Sequence, residues 1–418
     1  MINKKNIFLW SLYDFANSVI MITAILYFSQ WLVVDRGMDD IWFNLSLVIT
    51  SLLYLFVGPV FGQISDKVKN RMRGLRITTI LSFIFFGLTG VVMTLFSSHV
   101  FFAISLFTIA FFFYSFSFLY YTPLIAELGP ENVRGRISGI GQGVNVLGQV
   151  LGLLFILPFT NGTFYLFGEP GRAQTILPAT IIFGVLALPM LIWFKEKSIR
   201  QSVDISFRKE YRQLWITTKT VFSIVGVGTF IWSYFFFSDS LLTFSNNFPI
   251  FLEKVFGVND TVKSYMIMAI LSTSVIGSFI SGWISDKFGH KRTLVWILCG
   301  WVIILPAIAF APSFNFAMVI FIIGGLWHGA VWTVSRALVA DLAPPENINT
   351  VFSFYILAER FATFIGPIAW SLTLLLTKNS GALSYRYAML VMALLMVIGL
   401  WILRRVQYND HTVGVVNQ

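Results

Sequence analysis

Gly62-Gln-Ile-Ser-Asp66-Lys67 ends one long apolar run, and Gly282-Trp-Ile-Ser-Asp286-Lys287 ends another, 220 residues later. Each block has a basic tail, Arg71 and Arg73 after the first and Lys291 and Arg292 after the second. A second echo lies further along each half, where Glu127-Leu-Gly-Pro130-Glu-Asn132 returns as Asp341-Leu-Ala-Pro344-Pro345-Glu346-Asn347. Internal repetition in an apolar chain, with sites where the repeats meet, is the signature of secondary transporters.

Composition sets the solvent in which these repeats fold. The chain has 418 residues, of which 57% are hydrophobic and 11% charged, with a mean hydropathy of +0.79, against about one-quarter charged in soluble domains. A bilayer crossing needs about 20 apolar residues. Twelve segments supply them: Ile7–Val33, Ile41–Ile64, Leu75–Phe96, Phe101–Ile125, Ile137–Leu157, Ile176–Phe194, Val221–Phe251, Val262–Ile284, Leu294–Ala311, Phe314–Ala340, Val351–Leu376 and Ala388–Leu403. The predicted fold is therefore all-α and membrane-spanning, with twelve transmembrane helices in two pseudo-symmetric six-helix bundles. The bundles are predicted at 1–194 and 221–405, joined by a mixed-charge linker at 195–220 that has room for a surface helix and followed by a tail at 406–418. A water-soluble enzyme is excluded. The first span is too long for a signal-peptide core and lacks a small-residue cleavage pattern, so it reads as retained.

The net charge of +10 follows topology and does not mark a nucleic-acid binder. Threading the chain through twelve spans puts 21 of the 29 lysines and arginines on one face, and Arg36, Arg172, Lys254, Lys263, Lys378 and Arg386 on the other. The positive-inside rule then makes both termini cytoplasmic, in what we expect to be a bacterial plasma (inner) membrane. Cys299 is the only cysteine, which excludes an intrachain disulfide and a cysteine-based metal site. No Gly-x-x-x-x-Gly-Lys-(Ser/Thr) phosphate loop occurs, and the second span holds no acidic residue through Ile64, against ATP and sodium as energy sources. No cofactor or metal is expected. The expected partners are a small-molecule substrate, protons and lipids, with a monomer as the functional unit.

The repeated Gly-x-x-x-Asp-(Lys/Arg) block resembles the loop signature of the major facilitator superfamily, over nearly the whole chain. That resemblance implies alternating access and gives Gly62, Asp66, Arg71, Gly282, Asp286 and Arg292 a gating role. A small residue permits close helix contact, and an aspartate at the membrane boundary suits a neighbouring helix N-terminus. Trp10-Ser-Leu-Tyr13-Asp14-Phe-Ala-Asn17-Ser18 is similar to the Tyr-Asp-x-Ala-Asn signature of the vacuole-effluxer-like branch. Ser335-Arg336-Ala337-Leu338 and Phe352-Ser-Phe-Tyr355 through Gly366-Pro367 are similar to the same branch, whereas Phe237-Ser238-Asp239-Ser240 departs from its Tyr-Asn-Asp-Gly pattern. The resemblance implies amino acids as the first substrate class.

Ionisable groups inside spans cost roughly 2.5–3.5 kcal/mol on insertion scales and normally face a cavity or a partner. Five stand away from the span ends: Asp14, Asp239, Arg336, Glu359 and Arg360. Glu359 and Arg360 are adjacent, so they point about 100° apart. Asp14 and Glu359 read as cavity carboxylates with Arg336 at a depth to pair with either, forming a proton-driven exchange with substrate carboxylate or a permanent ion-pair latch. Asp239, beside Ser238, Ser240 and Thr243, either ligates a substrate ammonium or bonds those hydroxyls. Asn17 shares a helical face with Asp14. Gln142, Asn145 and Gln149 form one stripe, lining a cavity or bonding another helix, and Gly139-x-x-x-Gly143 and Gly148-x-x-x-Gly152 on the same span are small-residue packing spacings. His328 serves either a substrate or proton relay or a structural bond, and Trp327 and Trp332 are candidate aromatic walls. These features together predict a proton-coupled secondary transporter of a small polar organic solute. An exporter of amphipathic compounds and a non-transporting solute sensor are the rivals.

Overall fold

Hydrocarbon offers no partner for a backbone N–H or C=O, so a segment that crosses it satisfies these groups internally, as a helix does. The computed structural model describes residues 4–68, 71–129, 131–196, 207–344 and 348–408, and no β-strand occurs among them. The helices are α1 (Lys4–Thr23), α2 (Ile41–Val68), α3 (Arg71–Leu95), α4 (Val100–Tyr121), the short α5 (Ile125–Leu128), α6 (Glu131–Thr160) and α7 (Ile176–Trp193). They continue as α8 (Phe207–Ser223), α9 (Val227–Phe256), α10 (Asp260–Phe288), α11 (His290–Ala309), α12 (Phe314–Leu342), α13 (Ile348–Phe361), α14 (Ile365–Leu376) and α15 (Ala382–Arg404).

The chain divides into two compact units, Met1–Arg212 and Gln213–Gln418. In the first, α1 packs on α6 and α7, α4 on α2 and α3, and α3 on α7. In the second, α9 packs on α13, α14 and α15, α12 on α10 and α11, and α11 on α15. The two sets of neighbours correspond helix for helix, so the sequence repeat is also a structural repeat.

All twelve expected spans fall on helices, but not all as single rods. Among the described residues ten helices are long and apolar enough to cross a membrane, or eleven when α9 is counted with the end of α8, from which it turns by 100°. The seventh span thus begins at Val227, six residues after its expected start. Gly226 makes the corner with φ +80°, a conformation that favours glycine. The eleventh expected span is two short apolar helices, α13 and α14, interrupted at Ala362–Phe364. Pro367 is the cause: its ring would clash with the carbonyl four residues back, at Thr363, if one helix continued, and it is tolerated within a first turn.

The first span is continuous from Lys4 to Asp35, but Ala24–Phe28 and Trp31–Asp35 have the wider π-helical winding. Ser29 Oγ and Gln30 Nε2 donate to the carbonyls of Ile25 and Leu26 at 2.7 and 2.8 Å, keeping this polar pair satisfied in a buried stretch.

Polar clasps close the ends of each unit. At one end of the first unit Arg36 pairs with Glu169, Ser97 Oγ donates to the same carboxylate at 2.8 Å, and Arg172 meets Asp35 at 2.7 Å. At its other end Glu196 accepts the backbone N–H groups of Arg71 and Met72, both at 2.9 Å, and so caps α3. In the second unit Lys263, fully buried, pairs with Glu253 and Asp260 at 2.5 and 2.8 Å. His290 Nδ1 and Tyr408 Oη both bond Asp341 Oδ2 at 2.5 Å. That last cluster joins the ends of the two sequence blocks that recur between the halves.

Candidate functional site

In the first unit the polar groups gather where α1 meets α6. Three glycines of α6 make the approach possible. A methyl group at Gly148 would lie 2.7 Å from the Phe15 carbonyl, one at Gly152 3.1 Å from Val19 Cα, and one at Gly141 2.5 Å from the Trp10 ring. The spacing is seven and four residues, one helical face. Gly139 and Gly143 have open space around them, so of the two expected small-residue pairs only Gly148 and Gly152 pack against a helix.

On this seam the nearly buried Asp14 accepts a bond from Asn145 Nδ2 at 3.3 Å, and Gln149 Nε2 donates to Asn145 Oδ1 at 2.8 Å. The carboxylate is thus the end of an amide ladder that crosses from α6 to α1. Gln142, the third member of the stripe, is exposed and outside the ladder. Asn17 donates through Nδ2 to the Tyr13 carbonyl at 2.9 Å, and among the described residues its buried Oδ1 has no hydrogen-bond partner. An aromatic floor lies beside Asp14: the Trp10 and Tyr121 rings stack at 5.0 Å and 7°, and Tyr121 Oη donates to the Trp10 carbonyl at 3.0 Å.

In the second unit α9, α12 and α13 bring a second polar and aromatic group together. His328, Trp332 and Arg336 recur every four residues on α12, and Tyr355 and Glu359 do so on α13, which puts each set on one face. Tyr234 of α9 joins them: its hydroxyl donates to Glu359 Oε2 at 3.2 Å, and its ring lies 4.3 Å from Tyr355 and 6.3 Å, edge-on, from Trp332. His328 sits edge-on between Trp301 and Trp332 at 6.5 and 6.1 Å. Trp327 is a packing residue, with its indole pressed on Gly300, where an added methyl would meet Nε1 at 2.0 Å.

Arg336 is exposed, and among the described residues it forms no ion pair with Glu359. Glu359 lies one helical turn from the buried Tyr355 on α13, and Arg336 is on the neighbouring α12. The side chain of Arg360 lies outside the described residues.

Asp239 has a different setting. It is fully buried, and its Oδ2 accepts the Gly366 N–H at 2.7 Å. Thr243 Oγ1 donates to Oδ1 at 3.4 Å. A carboxylate from α9 therefore caps the N-terminus of α14 at the break, where orphan donors and the helix dipole both favour an anion. Of the three hydroxyls expected beside Asp239 only Thr243 bonds it, together with the Gly366 N–H, whereas Ser238 and Ser240 donate to the carbonyls of Tyr234 and Met392.

The side chains of Gly62 and Asp66, in the last turns of α2, lie outside the described residues. Gly282 makes only an ordinary contact, 3.9 Å from Thr333. The close approach of α10 and α12 runs instead through Gly277, Gly325 and Gly329, where added methyls would meet Leu326, Thr273 and Ser274 at about 2 Å. Asp286 is exposed, with His290 Nε2 at 3.5 Å. The Arg292 guanidinium lies over Trp296 at 5.2 Å, and the Arg71 backbone is held by Glu196.

Sequence reasoning missed Tyr234, Tyr355 and Gly366. The four-residue spacing of Tyr355 and Glu359 and the Gly366-Pro367 pair were their available signals.

Comparison with known proteins places this geometry. The chain is 22% identical over 424 residues to an uncharacterized MFS-type transporter, YxiO, of Bacillus subtilis (strain 168), covering 96% of this chain and 95% of that one. It is 25% identical over 210 residues to autophagy-related protein 22 of Cryptococcus neoformans var. neoformans serotype D (strain B-3501A), covering 46% of this chain and 37% of that one. A crystal structure of a bacterial homologue of the human lysosomal transporter Spinster has the same fold, with a TM-score of 0.74 at 13% identity over 97% of this chain and 98% of the other. The profile of the Major Facilitator Superfamily matches residues 2–153 and 230–415, in both repeats and across both polar clusters, and the chain belongs to that superfamily of membrane transporters.

Proposed function

We propose that this transporter carries amino acids and couples their movement to protons. The observation that supports the reading is Glu359 of α13, bonded by the Tyr234 hydroxyl, with the exposed Arg336 on the neighbouring α12. A guanidinium and a carboxylate on adjacent helices that form no ion pair with each other offer a zwitterion one partner for each of its ends. The Tyr234 hydroxyl orients Glu359, and the rings of Tyr234, Tyr355 and Trp332 pack together beside it. Within the first unit Asp14, held by Asn145, is a separate titratable carboxylate. Protonation of a carboxylate discharges it and changes what it attracts, which is the chemical basis of coupling. The likeness of Tyr13-Asp14 through Asn17 to the vacuole-effluxer-like signature favours amino acids among zwitterions.

The test is pH-dye-reported proton movement in proteoliposomes challenged with amino acids, sugars, nucleosides and lipophilic cations. A dye response confined to an amino-acid group is expected. The Glu359→Gln protein should bind the amino acid more weakly, because the ammonium loses its charged partner, and should no longer move protons; a retained pH-driven gradient would move coupling elsewhere. Arg336→Ala loses amino-acid binding, and unchanged affinity there would sink the carboxylate assignment. A response to lipophilic cations alone would replace the reading with an exporter of amphipathic compounds.

A further inference from the structure

Helix α8 is amphipathic in an unusual place. Its residues Arg212, Trp215, Ile216 and Lys219 follow at three, four and seven positions, one face of a helix, and all four are exposed. Trp215 is 65% and Ile216 47% accessible, and the Lys219 ammonium lies over the Trp215 ring at 5.4 Å. Beyond them Phe222, Val225 and Trp232 extend the apolar surface, with Phe222 edge-on to Trp232 at 6.3 Å. The opposite side of the helix is anchored: Val221 is 1% exposed in the core of the second unit.

The direction of the helix decides what this face meets. Trp215–Ser223 turns by 100° into the spanning helix α9. A helix nearly perpendicular to a span lies along the membrane plane, and a span of α9's length puts that corner at the boundary of the hydrocarbon. The corner is fixed, because Gly226 takes a positive φ and an added methyl there would meet the Gln407 carbonyl at 2.4 Å. An apolar centre with cations at both ends, held in the plane of the interface, is the design of a helix that binds a charged membrane surface.

We infer that α8 is an interfacial docking element for the anionic phospholipid headgroups of the adjoining leaflet. Trp215 and Ile216 enter the boundary between headgroups and acyl chains, while Arg212 and Lys219 snorkel to the phosphates. Each basic residue near an anionic surface changes affinity about fivefold at moderate salt. Because α8 runs directly into α9, which carries Tyr234 and Asp239, the lipid grips the helix that holds part of the candidate site. The inference does not depend on the substrate class.

The test uses the full chain with Cys299→Ser and Ile216→Cys, spin-labelled at position 216, in nanodiscs of phosphatidylcholine alone or with one-third phosphatidylglycerol. In anionic discs the label should become accessible to oxygen and shielded from a water-soluble nickel chelate, at a depth of about 5–10 Å. High salt, or the exposed substitutions Arg212→Gln and Lys219→Gln together, should return it to the zwitterionic value while gel filtration shows an intact protein. Equal immersion in both disc types, insensitive to charge removal, would overturn the anionic preference. A label that stays in water in both, or that is buried only when a soluble protein is added, would overturn membrane docking.

Discussion

Asp239 shows what one buried carboxylate does in a chain that has few. Its oxygens receive the Gly366 N–H and the Thr243 hydroxyl, and that N–H lies in the first turn of α14, where a helix supplies it no partner. Removing the acceptor strands a buried N–H at about 1–3 kcal/mol. Asp239→Ala should therefore lower the thermal midpoint of the purified protein by more than Asp239→Asn, which keeps one acceptor oxygen. Gly366→Ala attacks the same cradle from the other side. Its methyl would stand 2.2 Å from Thr243 Oγ1 and 2.8 Å from Asp239 Oδ1, an overpacking worth about 1–3 kcal/mol. Adding Thr243→Ala removes the nearer obstacle, so the double variant should recover part of the loss. Strict additivity of Gly366→Ala and Thr243→Ala would show that the hydroxyl is not what confines the glycine.

Among the elements, α6 separates spacing from contact. Gly139-x-x-x-Gly143 and Gly148-x-x-x-Gly152 look alike in the sequence, yet only the second pair touches α1. Gly148→Ala should destabilise the first unit and disturb Asp14, whereas Gly139→Ala and Gly143→Ala should be neutral or slightly stabilising, since alanine favours helix by about 1 kcal/mol over glycine. Thermal unfolding of the three variants decides it, and equal losses would mean that all four glycines pack. The same contrast explains what was legible beforehand. Hydropathy reports how much apolar chain is present, so the spans and the two halves could be read from it. It is blind to direction, so the corner at Gly226 and the break before Gly366-Pro367 went unseen within runs that stay apolar throughout. Candidate polar groups could be read where an ionisable residue stood within an apolar segment, as at Asp14, Asp239 and Glu359. It was obscure where ordinary aromatics such as Tyr234 and Tyr355 gain their role only through neighbours on other helices.

For the whole molecule the outstanding question is its orientation, for which charge asymmetry supplies an expectation. Threading the chain through the twelve expected spans puts 21 of the 29 lysines and arginines on the face that would carry both termini and six on the other, a bias in short loops of the kind that sets topology during insertion. The clasps agree with this threading. Arg36, Arg172 and Glu169, all assigned to the six-residue face, meet in space, and so do Lys291 and the Arg404 carbonyl from the basic face, at 3.2 Å. Arg386 on the sparse face donates to the Ala309 and Ala311 carbonyls at 2.5 and 2.9 Å, so that the loops between α11 and α12 and before α15 share one end. The expected orientation places both termini in the cytoplasm and the loop around Thr163, which is exposed, outside. A green fluorescent protein fused after Gln418 should then fluoresce in cells. A cysteine at position 163, in a Cys299→Ser background, should react with a membrane-impermeant maleimide added to intact cells. A dark fusion together with an unreactive Thr163→Cys protein would reverse the orientation, and with it the side from which substrate first meets Arg336 and Glu359.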